Sequence, residues 1–158
     1  MIIRPGEQKD IAPILQFWNG LIRNTTITFS TTEHTPSSLQ DMMDTQPIFL
    51  VAEQNGRAQA LATYKQFRAG NGYRHTMEHT IIVDPASHRA GLATALMDAL
   101  ETHAKAKNIQ SLIAAVTADN APAIAFHAAR GYTNTGALLQ AGRKFDTWLD
   151  LVFMQKHL

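Results

Sequence analysis

Apolar residues recur at Ile11, Ile14, Leu15, Trp18, Leu21 and Ile22, steps of three and four that predict an amphipathic helix over residues 8–23. Residues 1–4 read as a short strand ahead of it. A polar, threonine-rich stretch covers 24–35, and Pro36-Ser37 resembles the start of a second helix over 37–45. The pattern then changes. Residues 48–53 and 58–64 read as strands joined by Gln54-Asn55-Gly56-Arg57, where Asn-Gly supplies the positive φ angles of a tight hairpin. Residues 76–83 form the next strand, and 92–107 a long helix with Leu92, Ala95, Leu96, Ala99 and Leu100 along one side. The run 111–117 is almost continuously apolar, as expected of a strand buried on both faces. A helix over 121–130 has Pro122 in its tolerant first turn and Gly131 as its stop, and 148–155 is a closing strand. A hairpin flanked by strand–helix–strand units predicts an α/β fold with a mixed sheet covered by helices.

Composition narrows the class. The 158 residues are expected to form one domain over 1–158, with 45% hydrophobic and 17% charged residues, as in a globular chain. A net charge of +1 gives no reason to expect a nucleic-acid or membrane surface. The absence of cysteine excludes disulfides, a thiol nucleophile and thiolate metal sites. No apolar run approaches a membrane span and the first residues do not read as a signal peptide, so a cytoplasmic protein is expected.

The candidate chemistry begins where the strand 76–83 ends at Asp84-Pro85. A loop carrying His88, Arg89 and Gly91 opens straight into a helix, which aims backbone N–H groups at one spot, as a pyrophosphate requires. It does not fit the pattern of a nucleotide triphosphatase loop, and a plain strand-to-helix connection is the alternative. Glu78 lies on the strand leading into the loop, as a potential base or as a solvated or salt-bridged carboxylate paired with Arg74. If the strand geometry runs through 73–79, Arg74, Thr76 and Glu78 share one face and His75, Met77 and His79 the other. Two histidines four apart on a strand stand about 13 Å apart, too far to chelate one ion, so no metal is expected. Asn120 follows a buried strand as a helix cap or a ligand contact, and His127 reads as a half-buried histidine or a site residue. No serine sits on an elbow near a base, so a Ser/His/Asp triad is not expected.

In this order the segments resemble the GCN5-related N-acetyltransferase superfamily. The loop V-D-P-x-x-H-x-x-G-L-A is similar to its acetyl-CoA pyrophosphate motif, and N-A-P-A-I-A-F-H-x-x-x-G-Y to its later Asn-containing segment. The branch of phosphinothricin and methionine sulfone or sulfoximine acetyltransferases is the nearer match. It rests on Thr26-Ile27-Thr28-Phe29, on Tyr73-Arg74-His75-Thr76-Met77-Glu78-His79, and on the run from Gly142 through Lys144, Phe145 and Trp148 to Asp150.

The resemblance implies a mostly antiparallel central sheet with splayed strands flanked by helices, the acyl-CoA N-acyltransferase fold, and acetyl-CoA as co-substrate. His88, Arg89, Ala90, Gly91, Leu92, Ala93 and Thr94 would cradle the pyrophosphate, Val83 would pair its backbone with the pantetheine arm, and Asn120 would touch the cofactor. Glu78 would be the general base and His127 would stand where many members carry a proton-donating tyrosine. Phe29, Tyr73 and Thr76 would line the substrate pocket, with Arg74 clamping the substrate carboxylate. A homodimer with residues 148–153 near its interface is also implied. The sequence departs from the pattern at His88, at Ala123 in place of a serine, and at Ser30 where phosphinothricin enzymes carry arginine; the last weakens the case for phosphinothricin. The expected reaction is acetyl transfer to the α-amino group of a small amino acid or analogue. The rivals are another small amine, a peptide N-terminus, or a non-catalytic acyl-CoA-binding module.

Overall fold

The computed structural model describes residues 1–87 and 91–158. Its elements in chain order are β1 (Ile2–Pro5), α1 (Ile11–Asn24), α2 (Pro36–Thr45), β2 (Ile48–Gln54), β3 (Arg57–Gln66), β4 (Thr76–Val83), α3 (Leu92–Ala106), β5 (Ser111–Thr117), α4 (Ala121–Ala129), β6 (Thr133–Lys144) and β7 (Thr147–His157). The strands form one sheet in the order β1-β2-β3-β4-β5-β7-β6, antiparallel throughout except where β4 meets β5.

Helices cover both faces. On one side α1 and α2 bury Ile14, Phe17, Trp18, Ile22 and Leu39 against Phe49, Val51, Leu61 and Ile82. On the other, Leu92, Leu96, Met97 and Leu100 of α3 pack on Ala60, Ala62, Met77 and Leu112. The first helix starts later than its apolar spacing predicts, because Gln8–Asp10 is a separate 3-10 turn. Its closing residue Asp10 is 2% exposed and binds Arg4, which also holds Glu53. This ion cluster ties the chain start to β2.

The Asn55-Gly56 turn has the expected positive φ angles at both positions. A twelve-residue strand, β6, was not anticipated. It is an edge strand whose side chains are almost all exposed, so it carries no alternation of apolar and polar residues.

The feature that positions the site is a short pairing. β4 and β5 run parallel and are joined only through Thr76–Ser111, Met77–Leu112 and Glu78–Ile113. Beyond Glu78 the two strands part, although β4 stays paired to β3 as far as Val83 and β5 to β7 as far as Thr117. The splayed strands expected from the resemblance are these two.

Candidate active site

A cleft of about 360 Å³ opens where β4 and β5 separate. Thr80, Ile81 and Ile82 form one wall, Ala114 to Thr117 the other, and Phe29 with Ile27 and Trp18 covers one end. Glu78, Asn120 and His127 all line it, so four of the residues singled out in the sequence, Phe29 included, meet at one place.

Glu78 is half-buried, and among the described residues no side chain hydrogen-bonds its carboxylate. Burial pushes its pKa up from the ordinary carboxylate value, and Lys65, opposite it on β3, only partly opposes this. A carboxylate with a raised pKa and no hydrogen-bonded partner is equipped to accept a proton. The pairing with Arg74, one of the alternatives open for Glu78, is absent. Strand β4 begins at Thr76, after a turn in which Gly70 has φ of 110°, so Arg74 precedes the strand and does not share the Glu78 face. Its Nε donates to His75 Nε2 at 3.0 Å, and His75 Nδ1 in turn bonds the carbonyl of Asn108 at 2.8 Å.

Tyr73, Arg74 and Thr76 therefore sit at the closed end of the strand pair and do not line the cleft. Tyr73 is exposed beneath the Arg68 guanidinium. Among the described residues the cleft lining contains no lysine or arginine.

Asn120 is the N-cap of α4, its Oδ1 accepting from the Ala123 amide at 3.3 Å, so the capping role and the cleft position coincide. His127, in the last turn of α4, has both ring nitrogens engaged by protein: Nδ1 with the Ala123 carbonyl at 2.7 Å and Nε2 with His79 Nε2 at 2.9 Å. In this arrangement neither nitrogen is free to give a proton to the cleft.

The pocket cover is held by contacts that the sequence did not reveal. The Thr117 hydroxyl donates to the Thr26 carbonyl at 2.7 Å, and Lys144 Nζ donates to the Thr28 carbonyl at 2.8 Å. A Cβ on Gly142 would overlap the Phe29 ring, so that glycine gives Phe29 its seat. Asn19 holds the far end of this loop through reciprocal bonds to the His34 backbone, and His34 packs on Trp18. Lys144 and Gly142 lie in a motif that the sequence brought forward, but its spacing gave no sign that they support Phe29.

The fit to acetyl-CoA follows from backbone geometry. β4 beyond Glu78 has no partner on its β5 side, which leaves strand-edge amides and carbonyls for an extended pantetheine arm as far as Val83. Gly91, at φ 74°, is the N-cap of α3 and has no side chain to satisfy the amides of Leu92, Ala93 and Thr94. That helix N-terminus suits a pyrophosphate. Leu92 itself is buried in the core, so only its backbone is available. His88, Arg89 and Ala90 lie outside the described residues. Among the described residues no group of three metal-ligating side chains converges.

A seven-stranded sheet with a parting strand pair, a carboxylate at the fork and a helix N-terminus beyond it define an acyl-CoA-dependent acyltransferase. Residues 3–153 match the acetyltransferase (GNAT) domain, and the chain belongs to the GNAT acetyltransferase family, whose members use acetyl-CoA. It is 32% identical over 161 residues to the L-methionine sulfoximine/L-methionine sulfone acetyltransferase of Pseudomonas aeruginosa, covering 99% of this chain and 94% of that one. To the phosphinothricin N-acetyltransferase of Streptomyces viridochromogenes it is 33% identical, covering 98% and 86%. Among solved structures, a GNAT superfamily phosphinothricin acetyltransferase from Sinorhizobium meliloti in complex with acetyl-CoA superposes with a TM-score of 0.93. It is 25% identical, and the match covers 99% of this chain and 88% of that one.

Proposed function

We propose that residues 1–158 form one N-acetyltransferase domain that acetylates the α-amino group of a small amino acid with a neutral polar or apolar side chain, methionine sulfone and methionine sulfoximine foremost. The observation that carries this reading is Glu78, half-buried with a raised pKa at the mouth of the gap between β4 and β5. An α-amino group is largely protonated near pH 7 and cannot attack until it loses that proton. Glu78 takes it, directly or through one water. Bound acetyl-CoA supplies the acetyl group as a thioester: the C–S bond breaks as the C–N bond is made, and CoA leaves as a thiolate that takes its proton from solvent. The unpartnered edge of β4 offers a backbone N–H to the carbonyl oxygen on which charge develops, an effect worth about 3 kcal/mol.

Phe29, Ile27 and Trp18 line the cleft and pack against the substrate side chain, and Asn120, Val83 and the amides of 91–94 hold the cofactor, with His88, Arg89 and Ala90 assigned to it by the resemblance alone. Arg74 is assigned to the substrate carboxylate by the resemblance alone, since it lies outside the cleft lining and donates to His75. The lack of any lysine or arginine in the described cleft lining, together with Glu78 in the cleft, disfavours a second anionic group and so ranks the sulfone and sulfoximine above phosphinothricin. His127 forms part of the cleft wall.

The protein is further proposed to be a cytoplasmic homodimer. With no cysteine, nothing in the chain depends on an oxidising compartment, and no helix among the described residues is long and apolar enough to cross a membrane. Support for the dimer is the β6–β7 hairpin, where Leu138, Leu139, Phe145 and Trp148 are all exposed on or beside an edge strand. The test of the activity is mass spectrometry of methionine sulfone incubated with acetyl-CoA and enzyme. Acetylation at the α-nitrogen supports the reading, and an unmodified amino acid with consumed cofactor contradicts it.

A further inference from the structure

His79 and His127 form a buried pair that the proposed chemistry does not use. Alternation along β4 turns Glu78 toward α1 and His79 toward the opposite face, where α4 presents His127. The two residues are 6% and 4% exposed, and their Nε2 atoms lie 2.9 Å apart.

Geometry fixes the protons. His127 Nδ1 is 2.7 Å from the Ala123 carbonyl, which only accepts, so Nδ1 carries the hydrogen. A neutral His127 then has a bare Nε2, and His79 must be the donor between the rings. That leaves the lone pair on His79 Nδ1, and this atom has no hydrogen-bond partner among the described residues; neither does the Tyr132 hydroxyl, whose ring packs edge-on against both histidines. An unpaired lone pair in a core is a rare defect. It is the consequence of spending the His79 hydrogen on His127.

The charged groups around the pair are Arg130 at the end of α4, Glu101 on α3 and Lys156 on β7. They satisfy one another: Arg130 binds Asp98 and Glu101, and Lys156 binds Glu101. Glu101 still favours the charged His127 ring, but by less than burial disfavours it. Burial lowers the pKa of both histidines, that of His79 to about 3 with help from His127 and Arg130.

We propose that His79 is a positioning residue for acetyl transfer: its Nε2–H holds His127 as the neutral Nδ1–H tautomer and fixes that ring as an uncharged wall of the cleft. The assignment rests on the cleft being the transfer site. What position 79 requires is a hydrogen-bond donor of the right reach, beyond filling space. With an apolar residue there, His127 Nε2 faces nothing. Burial still disfavours the charged ring, so what is lost is orientation: the imidazole is held by the Ala123 carbonyl alone and its place in the cleft wall loosens.

The test is imidazole 15N–1H correlation spectroscopy on the full chain, combined with the rate of acetyl transfer against pH. In the wild type His127 is expected to show hydrogen on Nδ1 only and His79 on Nε2 only, with neither titrating between about pH 5.5 and 8. In His79→Leu, His127 keeps its hydrogen on Nδ1 but its Nε2 resonance moves to that of an unbonded nitrogen, and the rate falls about tenfold at every pH in that interval, the loss of about one hydrogen bond. His79→Gln, which can restore an N–H donor, returns the Nε2 resonance and the rate toward the wild type. Hydrogen on His127 Nε2 in the wild type, or a folded His79→Leu whose rate and His127 Nε2 resonance match the wild type, overturns the proposal. A wild-type spectrum in which acetyl-CoA alone leaves the His127 nitrogens unmoved overturns its link to the cleft, whichever amine is the substrate.

Discussion

Glu78 and Ile113 are the last residues paired between β4 and β5, so the carboxylate sits at the point where the sheet forks. The backbone edge freed by the fork and the base are thus consecutive parts of one strand. A change in where the strands part would move both together.

Removing the base isolates its contribution. Glu78→Gln is expected to lower kcat about 10²–10³-fold near neutral pH, the usual range for a positioned proton acceptor, with acetyl-CoA affinity by calorimetry unchanged. The raised pKa also has a stability consequence. Between the unfolded value and the higher folded value the native state binds more protons, so this group's contribution falls as pH rises through that window. Glu78→Gln should therefore raise Tm at pH 7 and leave it nearly unchanged well below the unfolded pKa, as read by thermal melts.

Phe29 depends on an absent side chain. Gly142→Ala should push the ring from its seat and raise KM for methionine sulfone, while KM for acetyl-CoA stays within about twofold. Lys144→Met removes the donor to the Thr28 carbonyl and should act in the same direction. Steady-state kinetics on both substrates separate these changes from general loss of structure.

Arg4 joins two acids at the start of the chain. Asp10 is buried, which by itself raises its pKa, but the hydrogen bonds from Arg4 and the Glu7 amide outweigh this and leave it below the ordinary value. A depressed carboxylate pKa stabilises the fold above the unfolded value, and the gain is lost as pH falls through the folded one. Arg4→Met leaves Asp10 without its cation and should cost about 3 kcal/mol in urea unfolding at pH 7, with a smaller cost at pH 3.

Carboxylate recognition tests Arg74. Arg74→Ala should raise KM about tenfold or more for methionine sulfone and change little for its carboxylate-free amine, since a charge-assisted hydrogen bond is worth about 1.5–3 kcal/mol. Equal losses on both would remove Arg74 from the substrate site.

Most of the fold was legible because its central elements follow one period each. The bounds of β4 and β5 were read as they occur, since apolar continuity marks β5 as buried on both faces and Asp84-Pro85 closes the alternating β4. β6 was missed for physical reasons. Its edge position frees its side chains from any pattern, bulges interrupt its pairing with β7, and its turn uses Phe145 and Asp146 at positive φ in place of Asn-Gly. Glu78, Phe29 and Asn120 could be found by motif, since each sits in a local segment that the family resemblance covers. The pairing of His79 with His127, 48 residues apart, depends on how α4 packs on β4, which no local spacing encodes. The strand reading of Arg74 failed because Gly70, at φ 110°, permits a turn that ends only at Thr76.

The most direct test of the central claim is acetyl-CoA-dependent thiol release across paired amines, a measurement with no thiol background from this cysteine-free chain. The panel sets methionine sulfone, methionine sulfoximine and phosphinothricin beside their carboxylate-free analogues, short peptides and the α-N-acetylated sulfone. Fast release is expected with the sulfone and sulfoximine, about tenfold or more slower release with phosphinothricin, and none with the blocked α-amine. Release that is equal for the blocked and free sulfone, or that occurs only with peptides, would contradict acetyl transfer to the α-amino group of a small amino acid.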